Sequence, residues 1–148
     1  MNGDFETSPY NTNGTVAGWV VSGGGNLAVK TEGSTTPSHS AAFGVPGGTL
    51  AQTFNTTIGQ TYNLDFDTGI FGRKTGGANL RVQVTGSGSL LNQTVAPAYV
   101  NTTNPNAVTF AHFHFTFIAN STTTTVQFSD SRSGNASGDI VLDSVAIR

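Results

Sequence analysis

Polar and apolar residues alternate along most of the chain with a period of two, the spacing of a β-strand with one buried and one wet face. The run 110–119, FAHFHFTFIA, is the clearest case. Phe113, Phe115 and Phe117 fall on one face, and His112, His114 and Thr116 on the other. In 61–71, Tyr62, Leu64, Phe66 and Ile70 share a face opposite Asn63, Asp65 and Asp67. In 79–85, Leu80, Val82 and Val84 alternate with Arg81, Gln83 and Thr85. Stretch 122–129 turns Val126 and Phe128 inward, and 49–55 forms a hairpin with 61–71 around 56–60. Shorter strands are expected over 2–7, 18–22, 26–30, 41–45 and 89–95, with loops over 72–78, 96–107 and 130–138. Apolar positions at helical spacing never persist, so no helix is expected. About ten short strands predict an all-β fold: one domain over 1–148, an antiparallel β-sandwich of jelly-roll type.

The closing stretch 138–148, GDIVLDSVAIR, breaks the simple rule. Ile140 and Leu142 have one parity, Val145 and Ile147 the other. Either both faces of this strand are covered, or a bulge near Asp143–Ser144 re-aims the side chains. In both cases Asp143 lies inside an apolar strand. A buried carboxylate needs a cation, a metal or several hydrogen bonds, and the chain has only six Lys and Arg.

Composition narrows the function classes. Charged residues make up 9% of the 148 residues and the formal net charge is −2. With no basic patch, nucleic acid is not an expected partner. Cysteine is absent, so there is no disulfide framework. No apolar run approaches the ~20 residues that span a bilayer, so membrane insertion is not expected. The Thr/Ser/Asn/Gly-rich surface fits a secreted or cell-surface location, with the chain as a module of a larger protein.

Several segments, taken in order, resemble one family: NGDFET at the start, Gly18–Trp19, PSHSAAFG, LAQTF followed by GQTYNLDFD, FTFIANSTTTTVQF, and the ending DIVLDSVAI. The chain is similar to the calcium-containing jelly-roll carbohydrate-binding modules of galactose-binding-domain-like fold. The motifs are short, and their order is the specific part. The resemblance implies a structural calcium ion between the first and last strands. Its ligands would be Glu6, the Asp4 carbonyl, Asp143, and carbonyls around Ser38 and Ser40. That mixture of hard oxygens suits calcium.

If the three strongest strands lie in one sheet, their outward residues make one polar surface. It would carry Asn63, Asp65, Asp67, Arg81, Gln83, His112 and His114, with Thr125 and Gln127 extending it and Phe71, Arg73 and Tyr99 at its border. Such groups can read sugar hydroxyls through paired hydrogen bonds, and Arg81, with five donors, would contribute most. These strands show no outward Trp or Tyr, so stacking would fall to Tyr99, Phe71 or Tyr10, and weak binding is expected. His112-x-His114 has the spacing of two metal ligands. The cupin set that uses it needs a further Glu and His, yet no Glu follows Glu32 and no His follows His114. Asp65 and Asp67 are neighbours on a flat strand and do not flank a scissile bond as a glycosidase pair must. The expectation is therefore a non-catalytic carbohydrate-binding module that takes a polysaccharide or oligosaccharide. The alternative is a structural or adhesive extracellular β-sandwich with no sugar ligand.

Overall fold

Ten strands build the fold in the computed structural model, which describes residues 1–8, 14–23, 27–30, 33–36, 38–75, 77–100, 107–133 and 137–148, without the side chains of 73–75. They are β1 (Val20–Ser22), β2 (Leu27–Lys30), β3 (Ser40–Phe43), β4 (Thr49–Asn55), β5 (Thr61–Thr75), β6 (Leu80–Thr85), β7 (Ser89–Val95), β8 (Phe110–Ile118), β9 (Thr123–Asp130) and β10 (Ser137–Ile147). The described residues contain no helix. Two five-stranded antiparallel sheets, ordered β1-β4-β9-β6-β7 and β2-β3-β10-β5-β8, form a jelly-roll β-sandwich.

Alternation explains the packing. Each strand of the pair β5/β6 delivers every second residue to the space between the sheets: Leu64, Phe66 and Ile70 from one, Leu80, Val82 and Val84 from the other. Phe66 sits at the centre. Its ring stacks on Phe113 at 5.4 Å and meets Phe128 of the opposite sheet edge-on at 5.1 Å. Burying one such side chain stabilises the fold by about 1.5–3 kcal/mol. Trp19 closes one end against Phe5 and Phe128, and its indole N–H donates to the Asn2 carbonyl.

The last strand lies in the middle of its sheet, between β3 and β5. Both alternatives expected for it hold together. Ile140, Val141, Leu142 and Asp143 are all buried, so both faces are covered. A bulge then intervenes: Asp143 pairs with Asp67, but Ala146 pairs with Asp65. The extra residue puts Ser144 at φ 53 and returns Val145 to the core.

Three expectations fail here. The hairpin of 49–55 with 61–71 does not form: β4 pairs with β1 and β9 and β5 with β10 and β8, so the turn at 56–60 crosses from one sheet to the other. Residues 2–7 form no strand. Gly3 lies against Val145, where a Cβ would meet the carbonyl oxygen at 1.7 Å, and Phe5 takes φ 57 to bury its ring. This compact turn gives up ladder pairing in exchange for core packing. The loop expected over 72–78 is also shorter, because β5 continues to Thr75 alongside β10.

Candidate functional site

The sheets divide the expected polar surface. β5 and β8 belong to one sheet and β6 to the other, so Arg81 and Gln83 lie on the opposite outer face of the sandwich from Asp65, Asp67, His112 and His114. Gln83 pairs across to Gln127 and Asn92, and Arg81 Nε donates to Asn92 Oδ1. Thr125, bonded to Thr53, belongs to that same face. It is a flat Thr, Ser, Asn and Gln carpet, and the joint site expected with the Asp and His residues does not exist.

The β2-β3-β10-β5-β8 sheet carries the more varied outer face. Along β5, Asp65, Asp67, Gly69 and Phe71 point the same way. Beside Phe71 a solvent-open depression of about 320 Å³ is lined by Lys30, Ala42, Phe71, Asp139 and Val141. Ala42 and Val141, paired across β3 and β10, give it an apolar lining, and Val141 pairs on its other side with Gly69 of β5. Gly69 lies under the segment before β8: a Cβ there would sit 2.3 Å from the Thr109 carbonyl oxygen. Tyr99 follows β7 and packs part-buried against the core; next to it, Ala98 bridges to Gly69. The Arg73 side chain and Tyr10 lie outside the described residues.

Towards the β8 edge, the same face holds two carboxylates and two imidazoles. His112 Nδ1 is 2.8 Å from Asp67 Oδ1, and His114 Nδ1 is 2.7 Å from Asp65 Oδ1. The His114 bond is the main cause holding Asp65 below its ordinary range. The Asp67 bond is the main cause raising His112.

A third cluster surrounds Asp143, whose carboxylate is fully buried. Oδ2 accepts from the backbone N–H groups of Thr35 and Thr36 at 2.6 and 3.0 Å, and Oδ1 from that of Ser144 at 2.7 Å. Every one of these donors is neutral, and burial still pushes Asp143 up. Glu6 stands nearby, held down to about 2 by the Ser38 hydroxyl and the Ser38 and His39 amides. Between the two carboxylates lies Thr36 Oγ1. It is 3.1 Å from both Asp143 oxygens, 3.2 Å from the Asp4 carbonyl, 3.3 Å from Glu6 Oε1 and 3.5 Å from the His39 carbonyl. A hydroxyl has one proton to give, so Thr36 Oγ1 can donate to only one of these oxygens at a time. Of the expected ligands, Asp4, Glu6 and Asp143 come together. From the loop around Ser38 and Ser40, whose carbonyls were the expected ligands, the His39 carbonyl reaches the cluster, while the Ser38 hydroxyl donates to Glu6 at 2.6 Å. Ser40 Oγ is buried without a hydrogen-bond partner. Among the described residues, no three His, Cys, Asp or Glu side chains are placed to hold a metal ion. The oxygen cluster has two carboxylates and otherwise uses carbonyl and hydroxyl oxygens.

Sequence reasoning missed Thr35 and Thr36, because two Thr in a Thr-rich chain carry no signal. It also missed Lys30 and Asp139, and the buried pair Arg132–Asp130 that joins the sheets. Phe71 was legible: the parity of Asp65 and Asp67, continued, points it outward.

No protein-family model matches the chain, and no curated protein matches it by sequence. Solved structures do match in fold. A CBM61 module from a structure in complex with beta-1,4-galactotriose superposes with TM-score 0.67 at 18% identity, over 100% of this chain and 95% of that one. A CBM4 structure gives TM-score 0.60 at 15% identity, covering 99% and 97%. The K1 cleaved adhesin domain of Lys-gingipain from Porphyromonas gingivalis W83 gives 0.63 at 14%, covering 95% of each chain. The fold is that of carbohydrate-binding modules and of at least one adhesin domain. At such identities the likeness speaks for the fold alone.

Proposed function

We propose that this chain is a non-catalytic carbohydrate-binding module of a secreted or cell-surface protein. It holds a polysaccharide or oligosaccharide on the outer face of the β2-β3-β10-β5-β8 sheet, with a structural calcium ion at Asp143. The observation that carries this reading is the depression beside Phe71. The Phe71 ring adjoins apolar Ala42 and Val141, with the polar side chains of Lys30 and Asp139 in the same lining. Apolar sugar faces stack on such rings while polar groups fix orientation. The fold shared with the galactotriose-bound module supports a sugar ligand. Each sugar hydroxyl exchanges water for protein, so each contact contributes about 0.5–1.5 kcal/mol. The expected Kd is of order 10–1000 µM, or about 4–7 kcal/mol.

Calcium is supported by the donor chemistry. The Asp4 and His39 carbonyls, Glu6, Thr36 and Asp143 supply hard oxygens around one point. A bound ion would neutralise Asp143 and tie the N-terminal turn and the 33–40 segment to β10. A non-catalytic role is supported by Asp65 and Asp67, which share one strand face and are each engaged by a histidine.

Calorimetric titration with β-galacto-, xylo- and gluco-oligosaccharides tests the proposal. Saturable binding that Phe71→Ala weakens at least tenfold supports it. A second reading, an adhesive β-sandwich without a sugar ligand, is favoured by the likeness to the gingipain adhesin domain. Silence across the whole panel would select it.

A further inference from the structure

We propose that His112 and His114 form a binding site for a divalent transition-metal ion of the zinc, copper or nickel class, separate from the oxygen cluster at Asp143. The two histidines leave β8 on one face, two residues apart, about 6.5–7 Å by Cα. Their side chains are 60% and 54% exposed. Opposite them in register, β5 presents Asp67 and Asp65. Each imidazole directs Nδ1 at a carboxylate oxygen, at 2.8 and 2.7 Å. A carboxylate at that position fixes the tautomer: the proton sits on Nδ1 and the lone pair is left on Nε2. Metal-ligating histidines are oriented in this way by the residues behind them.

His112 adds a sharper observation. Its second nitrogen, Nε2, lies 3.5 Å from Asp65 Oδ1. The ring therefore leans along β8 towards the His114–Asp65 pair. An imidazolium satisfies both carboxylates with its two N–H groups, and a metal ion at Nε2 would take the place of one of those protons. The local charge favours a cation. Asp65 and Asp67 are mostly buried, and beyond the imidazoles the cation recorded beside them is the exposed Arg148 guanidinium, 3.5 Å from Asp65 Oδ2. Among the described residues no group of three or more metal-binding side chains forms, so the site is a two-histidine chelate completed by water. Imidazole nitrogen selects zinc, copper or nickel, whereas the all-oxygen cluster at Asp143 suits calcium.

The test uses the whole chain with calcium in excess, so that the oxygen cluster is saturated, and zinc chloride as the probe. The expected isotherm is one-to-one with Kd below roughly 100 µM. Imidazole NMR signals of His112 and His114 should move together while those of His39 stay. His112→Gln and His114→Gln should each weaken binding at least tenfold, and Asp65→Asn by about 10–100-fold, the range for groups that orient metal-ligating histidines. Unmoved His112 and His114 signals in the wild type at about 1 mM zinc would overturn the proposal, whatever the variants do. So would an unchanged isotherm in a folded His112→Gln/His114→Gln double variant.

Discussion

Arg132 gives the largest single-residue effect expected from this fold. It sits in the β9–β10 connection with its side chain 2% exposed, against an Asp130 side chain that is fully buried. Its Nε donates to Asp130 Oδ2 at 2.6 Å, and Nη2 donates to the Phe43 carbonyl at 2.8 Å. Nη1 donates to the Gly138 carbonyl. Asp130 ends a strand of one sheet, while Phe43 and Gly138 belong to the other, so one guanidinium fastens the two layers. Arg132→Met leaves a buried carboxylate without its cation and two carbonyls without donors. Breaking a buried pair in this way costs about 3–5 kcal/mol. For a domain of this size 1 kcal/mol moves Tm by about 2–4 °C, so the melting temperature should fall by about 6–20 °C. Arg132→Lys should restore little, because a single ammonium cannot reach three acceptors in a fixed fork. Asp130→Leu with Arg132→Met removes both charges and should recover most of the loss. The one tryptophan, Trp19, is buried and reports unfolding by fluorescence in denaturant. A loss under about 1 kcal/mol in Arg132→Met, or a double variant no better than the single, would refute the reasoning.

Chelation should lower Tm and added calcium restore it. At a hundredfold excess over Kd the ion stabilises by about 2.7 kcal/mol, which is about 5–11 °C, and Glu6→Ala should abolish the response; identical melts with chelator and calcium would count against the site. The Asp65–His112 cluster should act within a pH window. Asp65 is lowered from 3.8, so its contribution is present above that pH and is lost as pH falls through the lower folded value. His112 is raised from 6.5, so its contribution is present below that pH and is lost as pH rises through the higher folded value. The difference in Tm between wild type and His112→Gln should therefore be largest near pH 5 and shrink by pH 9. A difference that is flat across that range would contradict the pairing.

The strands were legible because period-two alternation depends only on neighbours in sequence. The parity of Ile140, Leu142 and Val145 left two alternatives, covered faces or a bulge, and the strand has both. Sheet membership was not legible. β5, β6 and β8 show the same alternation, yet β6 joins the other sheet. Alternation says that Arg81 faces water, not which water-facing surface it shares. The oxygen cluster was half legible: Asp143 stood out as a carboxylate in an apolar strand, and the family resemblance pointed to Glu6, the Asp4 carbonyl and carbonyls around Ser38 and Ser40, while Thr35 and Thr36 depend on backbone placement. Arg132 was hidden in a Ser/Gly stretch, because two of its three partners are main-chain carbonyls whose position no residue type records.

The most direct test of the glycan-binding claim is an amide NMR titration with the oligosaccharide that binds most tightly in the panel. The account predicts that shifts concentrate on Lys30, Ala42, Gly69, Phe71, Asp139 and Val141, and that Arg81→Ala leaves the affinity unchanged. Shifts concentrated on Arg81, Gln83, Asn92 and Gln127, with affinity lost in Arg81→Ala, would place the sugar on the opposite sheet and contradict it.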